Sequence, residues 1–228
     1  MLNRILTFTV LFLVLAISVP TAFAKAPLPE SELLPKAEVN DSGLHHQPWF
    51  HESFLNLPED LAEAKAQGKR LAIYWEQLGC PYCKRMHEVN LRLPNVVDYI
   101  KKNFIVIQLN LWGDREVVDF DGEVTTEKKL AEKYVVRYTP TMSFFPETIE
   151  EMKGAPNPKD REVNRVSGYF KPFHFHFLHR YVVEKGYVEL SNFQRWLGNI
   201  GRDLEAKGVH YDLWDDHLPP GLPEQYLK

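Results

Sequence analysis

One stretch of the sequence decides the fold: the apolar run Leu71-Ala-Ile-Tyr-Trp75, followed shortly by Cys80-Pro81-Tyr82-Cys83. A basic, helix-compatible segment, Lys84-Arg-Met-His-Glu88, comes directly after the second cysteine. A strand, a short turn and a Cys-x-x-Cys pair at a helix start form the layout of a thiol–disulfide redox centre. The unpaired N–H groups and positive dipole end of a helix N-terminus favour a thiolate there. We therefore predict that Cys80 attacks a partner disulfide and that Cys83 resolves the mixed disulfide.

The cysteine pair has three other interpretations. The first is a structural disulfide, although so small a loop constrains the unfolded chain little. The second is half of a zinc site, which would need further ligands such as His87 because the sequence has no other cysteine. The third is an inert buried pair of cysteines. We predict the redox role, with no cofactor and no metal.

Composition indicates one globular domain with extensions. The chain has 228 residues, of which 44% are hydrophobic, enough for a core that needs no disulfide staples. The formal net charge is -4 and no basic stripe is present, so nucleic acid is not an expected partner.

The first residues have the pattern of a targeting segment. Arg4 precedes an apolar run, residues 5–19, and Ala22-Phe23-Ala24 offers a small-x-small cleavage pattern. The alternative is an uncleaved membrane anchor, but the run is shorter than the ~20 residues that a span needs. We therefore predict a signal peptide cleaved after Ala24 and an oxidising destination. A structural role in that compartment would usually bring more than two cysteines.

Periodicity and capping signals predict alternating strands and helices from residue 57 onward. Predicted helices span 57–67, 84–91, 96–102, 126–134, 172–185 and 190–207, and predicted strands span 71–75, 104–109, 142–145 and 163–170. The first strand–helix–strand unit predicts a parallel pair, and the later adjacent strands predict an antiparallel edge. We expect the acidic segment 112–125 to be a solvated surface loop.

Aromatic residues and histidines outside this pattern give weaker signals. Trp49, Phe50 and Phe54 are expected to anchor the end of the N-terminal segment in the core. His87 shares a helix face with Cys83, and we predict a packed or solvated side chain there. Three histidines of the 172–185 helix are predicted at the edge of the core without a metal: His174, His176 and His179.

This order of elements resembles the thioredoxin superfamily over roughly residues 59–200. The resemblance rests on Cys80-Pro-Tyr-Cys83, on Tyr138-Thr-Pro-Thr141 before a strand, and on Gly168 in the last strand. The segments 76–84, 109–113 and 139–145 look most like those of SoxW-type periplasmic thioredoxins. The resemblance implies a thioredoxin-like α/β fold, with a central mixed β-sheet flanked by helices and with N- and C-terminal extensions.

The implied organisation has four parts. Residues 1–24 are the signal peptide, 25–58 the N-terminal extension, 59–207 the thioredoxin-like domain and 208–228 the C-terminal tail. The resemblance also implies a periplasmic location.

The resemblance implies roles for the residues around the cysteine pair. Cys80, exposed at the helix start, is the attacking thiolate and Cys83 the buried resolving thiol. Pro140 is the catalytic cis-proline, which exposes the Thr139 backbone for pairing with a client. Tyr82 is either a client-facing aromatic residue or simply part of the loop.

One position departs from the thioredoxin pattern. Tyr74 stands where thioredoxins carry a buried aspartate. Glu76 lies two residues later, on the same strand face by period-two alternation. We expect Glu76 to be either a proton acceptor for Cys83 or a solvated residue at the end of the strand.

The implied function is an exported thiol–disulfide oxidoreductase, a reductase of periplasmic protein disulfides with a link to sulfur oxidation. Its expected partners are a disulfide-bearing periplasmic protein and a membrane thiol-electron transporter that supplies electrons. One alternative is a Dsb-like oxidase or isomerase, although isomerases usually require a dimerisation domain. Another is a non-enzymatic, redox-regulated binding subunit.

Overall fold

The computed structural model describes residues 28–228, so the predicted signal peptide lies outside the described part of the chain. The strands are β1 Glu38–Val39, β2 His45–His46, β3 Arg70–Glu76, β4 Phe104–Asn110, β5 Glu116–Val118, β6 Val124–Thr126, β7 Thr141–Phe144 and β8 Asn164–Ser167. The helices are α1 Leu57–Ala66, α2 Pro81–Glu88, α3 Pro94–Asn103, α4 Glu127–Lys133, α5 Pro172–Val183, α6 Gly186–Glu189 and α7 Phe193–Ala206. Within residues 28–228, no helix combines the length and the apolar character that crossing a bilayer requires.

A four-stranded mixed sheet organises the domain, in the order β4-β3-β7-β8. β3 runs parallel to β4, whereas β7 is antiparallel to both β3 and β8. The predicted parallel pair and antiparallel edge are therefore confirmed. All seven residues of β3 are buried, because helices cover both faces of the sheet.

The alternation of side chains along β3 divides the core into two layers. Ile73 and Trp75 pack with residues of α1 and α4 on one face, and Ala72 and Tyr74 pack with residues of α3 and α5 on the other. This division follows from the period of two in a strand. The cysteine pair follows this buried central strand after residues 77–79.

The acidic segment 112–125 is not the solvated loop that we predicted. It forms the β5–β6 hairpin, and Asp119 at its turn is completely buried. Tyr134 Oη donates to Asp119 Oδ1 at 2.8 Å, and Arg161 and Lys133 bind the other oxygen at 3.0 and 2.5 Å. Two cations and a hydroxyl compensate the cost of burying this carboxylate, which the local sequence does not reveal.

Two element boundaries differ from the prediction. The helix predicted over 96–102 begins earlier, at Pro94, as α3, because proline is well suited to the first helical position. Gly168 lies just after β8 rather than inside the strand, with φ +100°, and its N–H donates to Pro140 O at 2.7 Å.

The N-terminal extension is docked on the domain by hydrogen bonds. Gln108 Nε2 of β4 donates to His45 O at 2.6 Å, and Leu34 N donates to Arg92 O at 2.9 Å. The predicted boundary at residue 58 falls inside the first turn of α1. The extension is therefore continuous with the domain.

The aromatic anchors of the extension divide into three cases. Phe50 is buried, and its ring lies 5.7 Å from that of Tyr74. Trp49 is partly buried beside it. Phe54 is fully exposed, so our prediction of an anchor there is wrong.

Both edges of the sheet are protected, in different ways. At the outer edge of β4, three backbone groups have partners from other segments: His51 N donates to Val106 O at 2.8 Å, Arg115 Nη2 donates to Gln108 O at 3.0 Å and Asn110 N donates to Glu127 Oε1 at 2.8 Å. The opposite edge is β8, a four-residue strand with a polar sequence that includes Arg165.

Two histidines of α5 lie in the core rather than at its edge as predicted. His176 and His179 are completely buried. His179 Nε2 is 2.6 Å from Tyr74 Oη, and His176 Nε2 donates to Tyr226 O in the C-terminal tail at 2.6 Å. Burial is the main cause that lowers the pKa of His179 to about 3 and that of His176 to about 4, so both are neutral near pH 7.

Candidate redox site

The two cysteines stand at the N-terminus of α2. Gly79 turns the chain with φ +71°, Cys80 is the N-cap residue, and Pro81 occupies the first helical position. Cys80 and Cys83 form a disulfide with Cα atoms 5.3 Å apart. Cys83 N donates to Cys80 Sγ at 3.0 Å, so an N–H of the first helical turn is already directed at the sulfur that would carry negative charge after reduction.

The two sulfurs differ in their access to solvent. Cys80 is 7% exposed and Cys83 only 1%. The order matches the prediction, although Cys80 is more buried than we expected for an exposed attacking group. Solvent therefore reaches the disulfide mainly through Cys80.

The Pro140 loop lies at the same end of the sheet as the cysteines. Thr141, the first residue of β7, pairs with Trp75 near the end of β3. The Thr139–Pro140 peptide bond is cis, as the resemblance implies. Thr139 is half-buried and Pro140 is buried. Their assigned roles in catalysis and client pairing stay predictions.

Large apolar side chains remain exposed on the first turn of α2 and on three nearby loops. Leu78 is 70% exposed, Tyr82 60%, Trp112 64% and Tyr138 70%. Trp112 Nε1 donates to Gln77 Oε1 at 2.9 Å, which ties the loop after β4 to the segment before Cys80. These four side chains are called the apolar rim. Such a surface suits an apolar stretch of a partner chain.

A buried carboxylate–imidazole pair lies behind the disulfide. Glu76, the last residue of β3, is 1% exposed, and His87 is completely buried. Glu76 Oε1 and His87 Nε2 are 2.9 Å apart. The alternative of a solvated Glu76 at the strand end is therefore wrong. Because His87 follows Cys83 by one helical turn, it lies on the same face of α2 as Cys83.

A third buried side chain completes this group from the N-terminal extension. Gln47 is 3% exposed, and its Nε2 lies 3.2 Å from His87 Nδ1. The sequence analysis missed Gln47, since nothing local marks a contact across forty residues. It placed His87 on the correct helix face without assigning it a role, and the signal available was its spacing from Cys83.

A family model described as a thioredoxin-like domain matches residues 57–171. The chain belongs to the thioredoxin-like family. With the Cys80–Cys83 disulfide at the start of α2, this membership makes the protein a thiol–disulfide oxidoreductase. The SoxW-type resemblance stays a prediction.

The chain is also similar to several solved structures. A thioredoxin-fold protein from Helicobacter pylori is 18% identical, covers 62% of this chain and 85% of its own, and has a TM-score of 0.44. A thioredoxin from Thermus thermophilus is 28% identical over 57% of this chain and 86% of its own, with a TM-score of 0.42. A DsbH oxidoreductase is 12% identical over 55% and 83%, with a TM-score of 0.34. No curated protein shows significant similarity to the chain.

Tyr74 cannot perform the role of the aspartate that it replaces in this thioredoxin-like protein. Its side chain is completely buried, and its hydroxyl bonds to His179. Burial, and then the charge of Glu76, raise the pKa of Tyr74 well above its ordinary value. The phenol therefore stays protonated at neutral pH, and Glu76 is the buried carboxylate at the end of the same strand.

The described residues give no support to the zinc alternative. Within residues 28–228, no group of three or more histidine, cysteine or acidic side chains is arranged to hold a metal ion. The two cysteines are bonded to each other, and His87 is bound by Gln47 and Glu76.

Proposed function

We propose that this thioredoxin-like protein is an exported reductase of protein disulfides that works in the periplasm. The observation that carries the proposal is the difference between the two sulfurs at the start of α2: Cys80 retains solvent access, and Cys83 is closed off behind it. The N-terminal segment with Arg4, the apolar run 5–19 and Ala22-Phe23-Ala24 supports export. A single cysteine pair is what an exported redox enzyme needs and less than an exported structural framework usually has.

The reaction has two thiol–disulfide exchanges. The Cys80 thiolate attacks one sulfur of the client disulfide, and the other client sulfur leaves as a thiolate. The thiol of Cys83 then gives its proton to the carboxylate of Glu76, and its sulfur attacks Cys80 Sγ. The bond between Cys80 and the client breaks, and the client sulfur leaves as a thiolate. Two electrons have passed to the client, and the Cys80–Cys83 disulfide remains.

A new cycle requires an electron donor outside the chain. A dithiol must reduce Cys80–Cys83 by the same exchange in reverse: two electrons enter the protein, Cys80 returns to its thiolate, and the proton held by Glu76 returns to the Cys83 sulfur. We propose a membrane thiol-electron transporter as this donor, because an oxidising compartment maintains no soluble dithiol pool. The SoxW-type resemblance extends the proposal to clients in sulfur oxidation.

The apolar rim supports a protein client rather than a small disulfide. Its side chains, Leu78, Tyr82, Trp112 and Tyr138, are exposed. Pairing of a client backbone with Thr139 would hold the client disulfide over Cys80. A small thiol compound would bury little of this surface.

The reduction potential decides the direction of electron flow. We expect a value near that of thioredoxin, about −270 mV, together with turnover of a model protein disulfide by the reduced protein. The measurement is equilibration with thiol buffers, followed by alkylation and mass analysis. A potential near −120 mV would favour the Dsb-like oxidase instead. Absence of turnover in either direction would leave a redox-regulated binding role.

Replacing Glu76 by glutamine is expected to slow client release by roughly 10²-fold or more at neutral pH, the usual contribution of a general base. The amide cannot take the proton of Cys83, whereas the first attack by Cys80 does not need it. Single-turnover kinetics with a client disulfide separate the two steps. Glu88→Gln is the matched control, because Glu88 lies on α2 with a partly exposed side chain paired to Lys84 at 3.6 Å. Equal effects of both variants would rule out a specific role for Glu76.

A further inference from the structure

Three buried side chains from three parts of the chain form a continuous line of hydrogen bonds. Gln47 belongs to the N-terminal extension, His87 to α2 and Glu76 to the end of β3. Gln47 Nε2 lies 3.2 Å from His87 Nδ1, and His87 Nε2 lies 2.9 Å from Glu76 Oε1. None of the three is more than 3% exposed. The extension thus reaches the carboxylate that serves Cys83.

The chemistry of these contacts fixes where the protons lie. An amide nitrogen can only donate, so His87 Nδ1 accepts from Gln47 and carries no proton. The other ring nitrogen, Nε2, then carries the proton and donates it to Glu76. The other tautomer would place an N–H against the amide N–H₂ of Gln47 and would leave an unprotonated nitrogen against the carboxylate.

We propose that Gln47 is a positioning residue of the redox centre, which fixes the tautomer of His87 and thereby holds Glu76 in place to take the proton of Cys83. The inference rests on the proposed function of Glu76 and deepens it. It makes the N-terminal extension a working part of the redox centre.

The local structure holds Gln47 firmly enough for this role. The preceding strand β2 is fixed to β4 through the hydrogen bond from Gln108 Nε2 to His45 O, at 2.6 Å. Phe50 N donates to Gln47 O at 3.0 Å, and the Phe50 ring lies 5.8 Å from that of His87. Gly43, in the turn between β1 and β2, lies close to Leu78 in the loop before Cys80. The approach leaves no room for a side chain, since a Cβ at position 43 would lie 2.6 Å from Leu78 Cδ1.

The other charged and titratable groups near these three side chains do not replace Glu76 as the partner of His87 Nε2. The His45 ring lies 5.8 Å from the His87 ring. Burial is the main cause that lowers the pKa of His45, so His45 is neutral at pH 7. Glu88 and Lys84 face the same region from α2 and are paired with each other.

The tautomer of His87 tests the proposal without any substitution. We expect the ring nitrogen shifts of the full, oxidised protein at pH 7, measured by NMR, to show an unprotonated Nδ1 and a protonated Nε2. A protonated Nδ1 beside an unprotonated Nε2 would overturn the proposal. This measurement does not depend on turnover.

A pair of glutamine variants tests the kinetic consequence. Gln47→Leu is expected to slow client release about five- to tenfold, the effect of one lost hydrogen bond, while attack by Cys80 changes less than about twofold. Gln108→Leu is the control, because it removes a buried amide that binds the same extension through His45 and His46. An equal loss in both variants would overturn the proposal in favour of a merely structural role for the extension.

The kinetic outcomes separate this inference from the proposed function. A wild-type protein that turns over, with Gln47→Leu releasing the client at the wild-type rate, would overturn the positioning role and leave the reductase intact. A wild-type protein that turns over no disulfide would count against the reductase, whereas the tautomer measurement would still decide how Gln47 acts on His87.

Discussion

Replacing Cys80 by serine is expected to reduce disulfide turnover to the uncatalysed rate, whereas replacing Cys83 by serine should stop the reaction after its first step. A serine hydroxyl at the start of α2 is not ionised at neutral pH and cannot attack a disulfide. The Cys83 variant keeps Cys80 with its helix N-terminus, so it forms the mixed disulfide and cannot release the client. Non-reducing gels and mass spectrometry of the accumulated complex measure this result and identify the client.

The order of the two cysteines has an independent check. Cys80 retains more solvent access than Cys83, and the Cys83 N–H is aimed at Cys80 Sγ. Alkylation of the fully reduced protein near neutral pH should therefore modify Cys80 first, and added salt should change the rate little because the nearby helix end acts at short range. Modification of Cys83 first would reverse the two roles.

The free energy of unfolding is expected to fall by roughly 3–4 kcal/mol between pH 7 and pH 5 as two buried histidines resist protonation. Burial lowers the pKa of His176 to about 4 and that of His179 to about 3, while both titrate near 6.5 in the unfolded chain. Below pH 6.5 the unfolded state therefore binds more protons than the folded state, and stability decreases with falling pH. The loss is complete once the pH has passed below the folded-state values.

Urea unfolding of the oxidised protein at constant ionic strength and several pH values measures this slope. A double variant, His176→Gln with His179→Gln, should flatten the slope whatever its absolute stability. His210→Gln is the matched control, because His210 is exposed and should leave the slope unchanged. Burial raises the pKa values of Asp60 and Glu162, which acts against the histidine slope, so the comparison with the double variant isolates the histidine contribution. Equal slopes in the wild type and the double variant would contradict the buried, neutral state of both rings.

The central elements could be predicted from the sequence because their signals are local. The apolar runs of β3 and β4 and the Cys-x-x-Cys pair at the start of α2 each lie in one short stretch. The predicted helix 126–134 matches α4, which Thr126 caps by accepting from Lys129 N. Such signals reflect hydrogen bonding and burial within a few residues, so they survive without knowledge of the fold.

The features that the sequence did not reveal depend on contacts between distant segments. The local sequence around Asp119 is typical of a solvated loop. In the folded protein, however, Asp119 binds Arg161, which is forty-two positions away. Gln47 and His87 meet across forty residues. Long-range partners decide whether a polar side chain is buried or exposed, and no periodicity encodes them.

The protected outer edge of β4 has a consequence for solubility. β4 is a seven-residue strand with three consecutive β-branched residues, Ile105, Val106 and Ile107, and in isolation it has the composition of a segment that recruits other chains into intermolecular sheets. The N-terminal extension donates a backbone hydrogen bond to this edge through His51, whereas the short β8 relies on its polar residues instead. A truncation that removes the extension would therefore expose an aggregation-prone edge, so a shortened protein should be judged first by its self-association.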